Sequence, residues 1–353
     1  RQIASPRLRY IRPPEPMSMV DHWEFAMSQT NAGFVSFQRD KSYMWADLFD
    51  RGFQEMIARD SETVTFGFDE AMEFPGAGLR ILDTHSESRT FIEIPSRDML
   101  AAFAEGRFPA AAPRPVFSIV RRSLIERMRR LNGRVCDASA PDVFFACLAM
   151  TQVNSVLHFD AKAYTNYSHE DGNGYAEMRG VPNAAFVDFS TKGTSAAYND
   201  SPYPDLKCIP NNILNCYQAV MKAVGPDKMP APNWEVLRHR FVRSIEIMGE
   251  GPFKQEQWRK LQKYGLTDKE IPGPARKRWK HVVMDVLCRV YEVAPGFSAL
   301  AERVGGGIAQ MLGLKLPISP RRFSSLEEAL AYRRTYQPRI AAYRPHILAR
   351  LDE

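Results

Sequence analysis

Apolar positions along the chain alternate between two periods, and the alternation predicts the elements. Asp21 reads as a helix cap with Glu24 three residues on, and Trp23, Ala26 and Met27 form the buried side of that helix. Phe34-Val35-Ser36-Phe37 alternates as a strand and ends at Gln38-Arg39-Asp40-Lys41-Ser42. A helix is predicted from about Trp45 to Arg59, on the stripe Leu48, Phe49, Phe53, Met56 and Ile57. Thr63 to Phe68 reads as the next strand, residues 69–114 as irregular apart from one helix near 98–105, and Leu8 to Ile11 as a short leading strand. Val116 to Val120 is apolar. A helix follows from about Arg122 to Asn132, closed by Gly133. Val153 to Phe159 and Lys162 to Tyr167 read as two further strands.

Between these lies Ala140-Pro141-Asp142-Val143-Phe144-Phe145-Ala146-Cys147-Leu148-Ala149. Proline is pre-set for a first helical position, where its missing N–H costs nothing. Asp142 falls in the first turn, where the helix dipole favours a carboxylate by about 0.3–1 kcal/mol. On spacing alone it is either a helix-stabilising acid or a site residue. From about Asp205 the pattern turns wholly helical, with segments near 211–224, 233–249, 254–264, 275–293, 298–312 and 325–350. The strand, acid loop, helix, strand order is an α/β pattern. We therefore expect an α/β domain over residues 1–200 and a helical extension over 201–353.

Composition narrows the class. The chain has 353 residues, 44% hydrophobic and 25% charged, which is ordinary for a globular protein. No apolar run approaches the ~20 residues of a membrane span. Net charge is +6. Without a recognisable reader motif this gives no case for nucleic acid as a partner. The basic 275–281 segment with Trp279 would allow peripheral contact with an anionic membrane, beside the plainer reading of a solvated helix face. Five cysteines lack paired spacing and read as reduced, in a cytoplasmic setting.

Candidate chemistry sits where strands end, as ligands in open α/β sheets do. Asp40 is placed to hold a metal ion, or to pair with its basic neighbours Arg39 and Lys41. Asp21-His22-Trp23-Glu24-Phe25-Ala26-Met27-Ser28, Phe34 to Phe37 and Asp40-Lys41 together resemble the middle of a family 2 glycosyltransferase of GT-A fold. Phe117-Ser118-Ile119-Val120-Arg121-Arg122-Ser123-Leu124 followed by Ala140-Pro141-Asp142-Val143-Phe144 resembles the acceptor-site region of bacterial members. Ser168-His169 with Asn173-Gly174 continues the match. The resemblance covers about residues 5–180. It implies a Rossmann-like mixed sheet and inverting transfer of a sugar, hexosyltransferase-like, from a nucleotide-sugar donor to a glycan or other hydroxyl acceptor, in surface polysaccharide assembly.

Under that resemblance Asp142 is the base. Arg39, Asp40 and Lys41 face the donor diphosphate, Arg121 and Arg122 the diphosphate or an acidic acceptor, and His22, Trp23, Ser168, His169 and Asn173 line the site, beside the plainer readings of Trp23 as core and His169 as a loop hydrogen-bonding residue. The implied cofactor is a divalent Mg or Mn ion on Asp40, and the implied place is the cytoplasm or the inner face of the membrane. Two departures stand out. The family's opening Val/Ile-rich strand ending in Pro-x-Tyr/Phe-Asn is absent, so the chain reads as a fragment lacking the first strands. The acidic metal motif is reduced to Arg39-Asp40-Lys41, which leaves open direct charge neutralisation by Arg39 or Lys41, or an inactive glycan-binding or scaffolding module.

Overall fold

A computed structural model describes residues 9–74, 78–82, 88–168, 198–248, 251–268 and 323–335. Its order is α1 (Met19–Ser28), β1 (Phe34–Val35), β2 (Ser42–Met44), α2 (Ala46–Ala58), β3 (Thr63–Phe74), β4 (Gly78–Leu82), β5 (Phe91–Pro95), α3 (Ser96–Ala104), β6 (Ser118–Arg121), α4 (Arg122–Asn132), α5 (Pro141–Met150) and β7 (Ser155–Ser168). Among the described residues four α-helices follow: α6 (Ile209–Val224), α7 (Trp234–Glu246), α8 (Pro252–Lys263) and α9 (Leu326–Thr335).

Among the described residues the sheet is mixed and seven-stranded, so the α/β expectation holds. At its centre the long strands β3 and β7 run parallel. Their first halves are flanked antiparallel by β6, which carries β1, and by β5. Their second halves are flanked antiparallel by β4 and β2. Side chains alternate between faces, as the pleat requires. Ile119 and Leu157 pack with α2 through Met56 on one face. Val120 and Val156 pack on the other with α3, α4, α5 and α6. Helices thus cover both faces. α6 shares the core of α5 through Ile213, Cys216, Tyr217 and Val220, so the first helix beyond residue 200 packs on the sheet domain. Leu214 turns the other way, into a second core with Phe241 and Trp258.

Four expectations change. Residues 9–13 join no strand, because Pro13-Pro14 stops the segment and Tyr10 is exposed. α1 is capped by Ser18, whose Oγ accepts from the Asp21 N–H at 3.1 Å; Asp21 sits in the first turn, its side chain bonded back to Ser18 Oγ at 2.7 Å. The stretch taken as irregular holds the end of β3, all of β4 and β5. The two strands read from Val153 to Tyr167 are one. Its register against β3 jumps from Phe66↔Phe159 to Gly67↔Lys162, and the bulge at Asp160-Ala161 breaks the alternation that the sequence shows. Gly67 permits that bulge: a Cβ there would lie 3.1 Å from the Ala161 carbonyl oxygen.

Gly52, buried in α2, faces Phe66 so closely that a Cβ would meet its ring at 2.2 Å. Helix propensity favours Gly52→Ala by about 1 kcal/mol, but overpacking costs roughly 1–3 kcal/mol. The variant is expected to unfold at lower urea concentration than the wild type.

His158 is buried, with Nδ1 2.9 Å from Thr65 Oγ1. Burial pushes its pKa down from 6.5 to about 4. Below pH 6.5 the unfolded chain takes up a proton that the folded chain refuses. Stability is therefore full above that point and falls as pH drops toward 4, by about 3 kcal/mol at most for this group. Urea titrations of His158→Gln against pH should show a shallower fall across that window.

Candidate functional site

The second halves of β3 and β7 build a polar floor. Asp69 and Lys162 form a buried ion pair across the central strands, 3.1 Å apart. One step further, Asn166 of β7 accepts from Arg39 Nη2 at 2.6 Å and also hydrogen-bonds Glu70 of β3. Burial pushes the Glu70 carboxyl above its usual range, against the pull of Asn166, Arg39 and Arg114.

Two loops meet over this floor. The Phe37 N–H donates to the Pro115 carbonyl at 3.0 Å, tying the loop that carries Arg39 to the loop that carries Arg114. Trp23 supports the first loop, edge-on to Phe37 at 5.6 Å. The second is fixed by Ser118 Oγ, which donates to the Arg114 carbonyl. Phe117 holds a positive φ of 68°, a conformation that costs a side-chain-bearing residue about 1–3 kcal/mol. It stacks on Phe68 with centroids 4.6 Å apart and meets Tyr164 edge-on at 5.1 Å. The Arg39 and Arg114 guanidiniums stand over the Phe117 ring, 5.2 and 5.5 Å from its centroid. Arg114 also lies against Phe108 and Phe68, at 4.6 and 5.3 Å.

Asp142 completes the group. It stands half-buried at the start of α5, one Oδ accepting the Val143 N–H at 3.0 Å. Its charge is the leading attraction on both Arg39 and Arg114, yet among the described residues no carboxylate comes within 4 Å of either guanidinium. The turn before Pro141 is held from α6: Asn215 Nδ2 donates to Ser139 Oγ at 2.8 Å, and Ser139 Oγ donates to Asn212. Asn215 also accepts the Asp200 and Ser201 N–H groups.

Of the expected site residues, Arg39 and Asp142 come together here. Asp40 is exposed beside Arg39, and Lys41 adjoins the site through its carbonyl, which accepts the Tyr167 N–H at 2.6 Å. Trp23 acts as packing behind the loop. His22 is exposed on α1. Arg121 and Arg122 lie apart, at the β1/β6 edge: Arg121 pairs with Asp60 at 2.7 Å and Ser61 O at 2.8 Å, and Arg122 with the carbonyls of Thr30 and Ala32. Their guanidiniums tie the sheet edge to neighbouring loops. Ser168 ends β7 opposite Met72; its side chain, His169 and Asn173 lie outside the described residues, as do Cys288 and the 275–281 segment. The other four cysteines are buried free thiols. Among the described residues no helix is long and apolar enough to cross a membrane.

Sequence reading missed Arg114, Glu70, Asn166 and Phe117. Arg114 had a signal: it is the one charge in the run from Phe108 to Ile119, with a proline on each side. Glu70 and Asn166 had none, since β3 was ended too early and β7 was cut in two.

The described residues do not by themselves supply the donor set of a divalent ion. Hard cations take six or more oxygens, several from carboxylates. Among the described residues no three His, Cys, Asp or Glu side chains gather at one point, and Arg39 stands beside the lone Asp40.

No protein-family model matches the chain, and no curated protein matches it. Among solved structures it is similar to S. aureus TarS 1–349 in complex with UDP-GlcNAc, at 13% identity and a TM-score of 0.31, over 78% of this chain and 62% of that one. TarS 1–349 alone matches at 11% identity and 0.29, over 78% and 61%. A further TarS structure matches at 12% and 0.31, over 67% and 42%. The chain thus spans less than two thirds of the TarS chains it matches. TM-scores near 0.3 leave the site's own geometry to carry the chemistry.

Proposed function

We propose that the chain is an inverting glycosyltransferase, in which Asp142 removes the acceptor proton and Arg39 faces the donor diphosphate. The reading is supported by one juxtaposition: a carboxylate at a helix start, within the charge field of two guanidiniums, above the second halves of the only parallel strand pair among the described strands. Such crevices are where α/β sheets take ligands. The sequence resemblance to family 2 glycosyltransferases supports the same reading.

In the proposed reaction the acceptor hydroxyl gives its proton to the Asp142 carboxylate as its oxygen attacks the anomeric carbon. The bond from that carbon to the diphosphate oxygen breaks, and its electron pair leaves with the nucleoside diphosphate. Arg39 neutralises the charge that grows on the leaving oxygens. The donor is a nucleotide sugar, the acceptor a glycan or other hydroxyl, and surface polysaccharide assembly is the process the resemblance suggests. The reading needs no resident metal, and Asp40 is the one carboxylate of its loop that could ligate an ion carried in by the donor.

The second reading is an inactive glycan-binding or scaffolding module. The single exposed acid of the Arg39-Asp40-Lys41 loop favours it. Incubation with a panel of nucleotide sugars separates the two. Transfer predicts release of nucleoside diphosphate above the uncatalysed rate for at least one donor, whereas the binding module predicts none.

A further inference from the structure

We propose that Arg39 and Arg114 form a two-guanidinium site for the diphosphate of a nucleoside diphosphate, and carry the positive charge that a divalent ion would otherwise bring. The inference deepens the transfer reading, and its binding half can be tested without turnover.

Arg114 is poorly explained as a structural residue. Phe68, Phe108 and Phe117 surround its head group. Its Nε is buried with no hydrogen-bond partner, and none of its side-chain N–H groups bonds a described residue. Burial pushes its pKa down from 12.5 to about 10. A cation held this way destabilises the fold, and an apolar side chain would fill the same gap without that cost. Cation–π contact returns only part of it.

The neighbours hold the charge in place. The Pro115 carbonyl accepts from Phe37, Ser118 anchors the Arg114 carbonyl, and strained Phe117 puts its ring under both guanidiniums. Two like charges on one ring repel. Asp142 and Glu70 offset this from a distance, and neither pairs directly with an arginine. The N–H donors of Arg114 therefore remain available, and Arg39 spends one on Asn166. Arginine forks match phosphate oxygens two at a time, which a lysine cannot do.

The probe is inorganic pyrophosphate, titrated calorimetrically into the full chain with EDTA present. The expected result is saturable binding, weakened at least 10-fold by Arg114→Met and by Arg39→Met. Circular dichroism checks that each variant is folded. Arg114→Lys, which keeps the charge and loses the fork, should recover only part of the affinity, and Arg59→Gln, remote from the site, should bind as wild type does. UDP or GDP should displace the pyrophosphate. Unchanged binding in folded Arg114→Met overturns the proposal. So does binding that requires added Mg²⁺, or displacement by farnesyl diphosphate but by neither nucleotide. Binding as expected with no donor turned over would leave this site standing and sink the transfer reading. Turnover with kcat/KM unchanged in Arg114→Met would do the reverse.

Discussion

Asp142→Asn is expected to lower kcat by about 100- to 10,000-fold, the range that a positioned general base contributes. The carboxamide keeps the shape of the side chain and can still accept the Val143 N–H. What it loses is the ability to take a proton. The loss should show in kcat and kcat/KM together; KM for the donor should not rise, because removing the charge that faces Arg39 and Arg114 leaves them freer to hold an anion. Stability should fall by more than the roughly 0.3–1 kcal/mol of an acid at a helix start, because the variant also loses the attraction that Asp142 exerts on Arg39 and Arg114. Steady-state kinetics beside a urea titration measure both. A variant with kcat within a few fold of wild type would remove Asp142 from the base role. Asn215→Ala offers a milder contrast, because it loosens the Ser139 turn ahead of Pro141 and leaves the carboxylate in place.

The largest stability effect is expected at the ion pair beneath the site. Lys162 and Asp69 are 6% and 2% exposed at their side chains. Lys162→Met removes the cation 3.1 Å from buried Asp69, and breaking a buried pair from one side costs about 3–5 kcal/mol. The urea midpoint should fall with little change in slope. Asp69→Leu added to Lys162→Met should recover most of the loss, because removing both charges also removes their desolvation cost. A double variant no more stable than the single one would show that the pair contributes through the surrounding hydrogen bonds.

Much of the fold was legible because most elements keep one period. α2 and α4 have apolar stripes at helical spacing, α5 is marked by its leading proline and is buried all round, and the structure places all three within a residue or two of expectation. The sheet's centre was harder. β7 was cut in two because Asp160-Ala161 bulges out of register. β4 and β5 were overlooked because both are short and follow segments with turn residues such as Pro75-Gly76. The site divided along the same line. Asp142 and Arg39 stood beside readable signals, a proline-led helix and a strand end. Arg121 and Arg122 had the more conspicuous charge but are used at the sheet edge, where Asp60 and backbone carbonyls take their N–H groups. Arg114 was hidden because its role depends on three phenylalanines from separate segments, at positions 68, 108 and 117.

Inverting transfer is tested most directly by the configuration of the product. Proton NMR of the full chain with a nucleotide sugar that it turns over follows the anomeric signal as nucleoside diphosphate is released. Attack assisted by Asp142 from the face opposite the leaving group predicts a first-formed product of inverted configuration, with the signal lost in Asp142→Asn. A first-formed product that keeps the donor's configuration, or no release from any donor, would contradict the account.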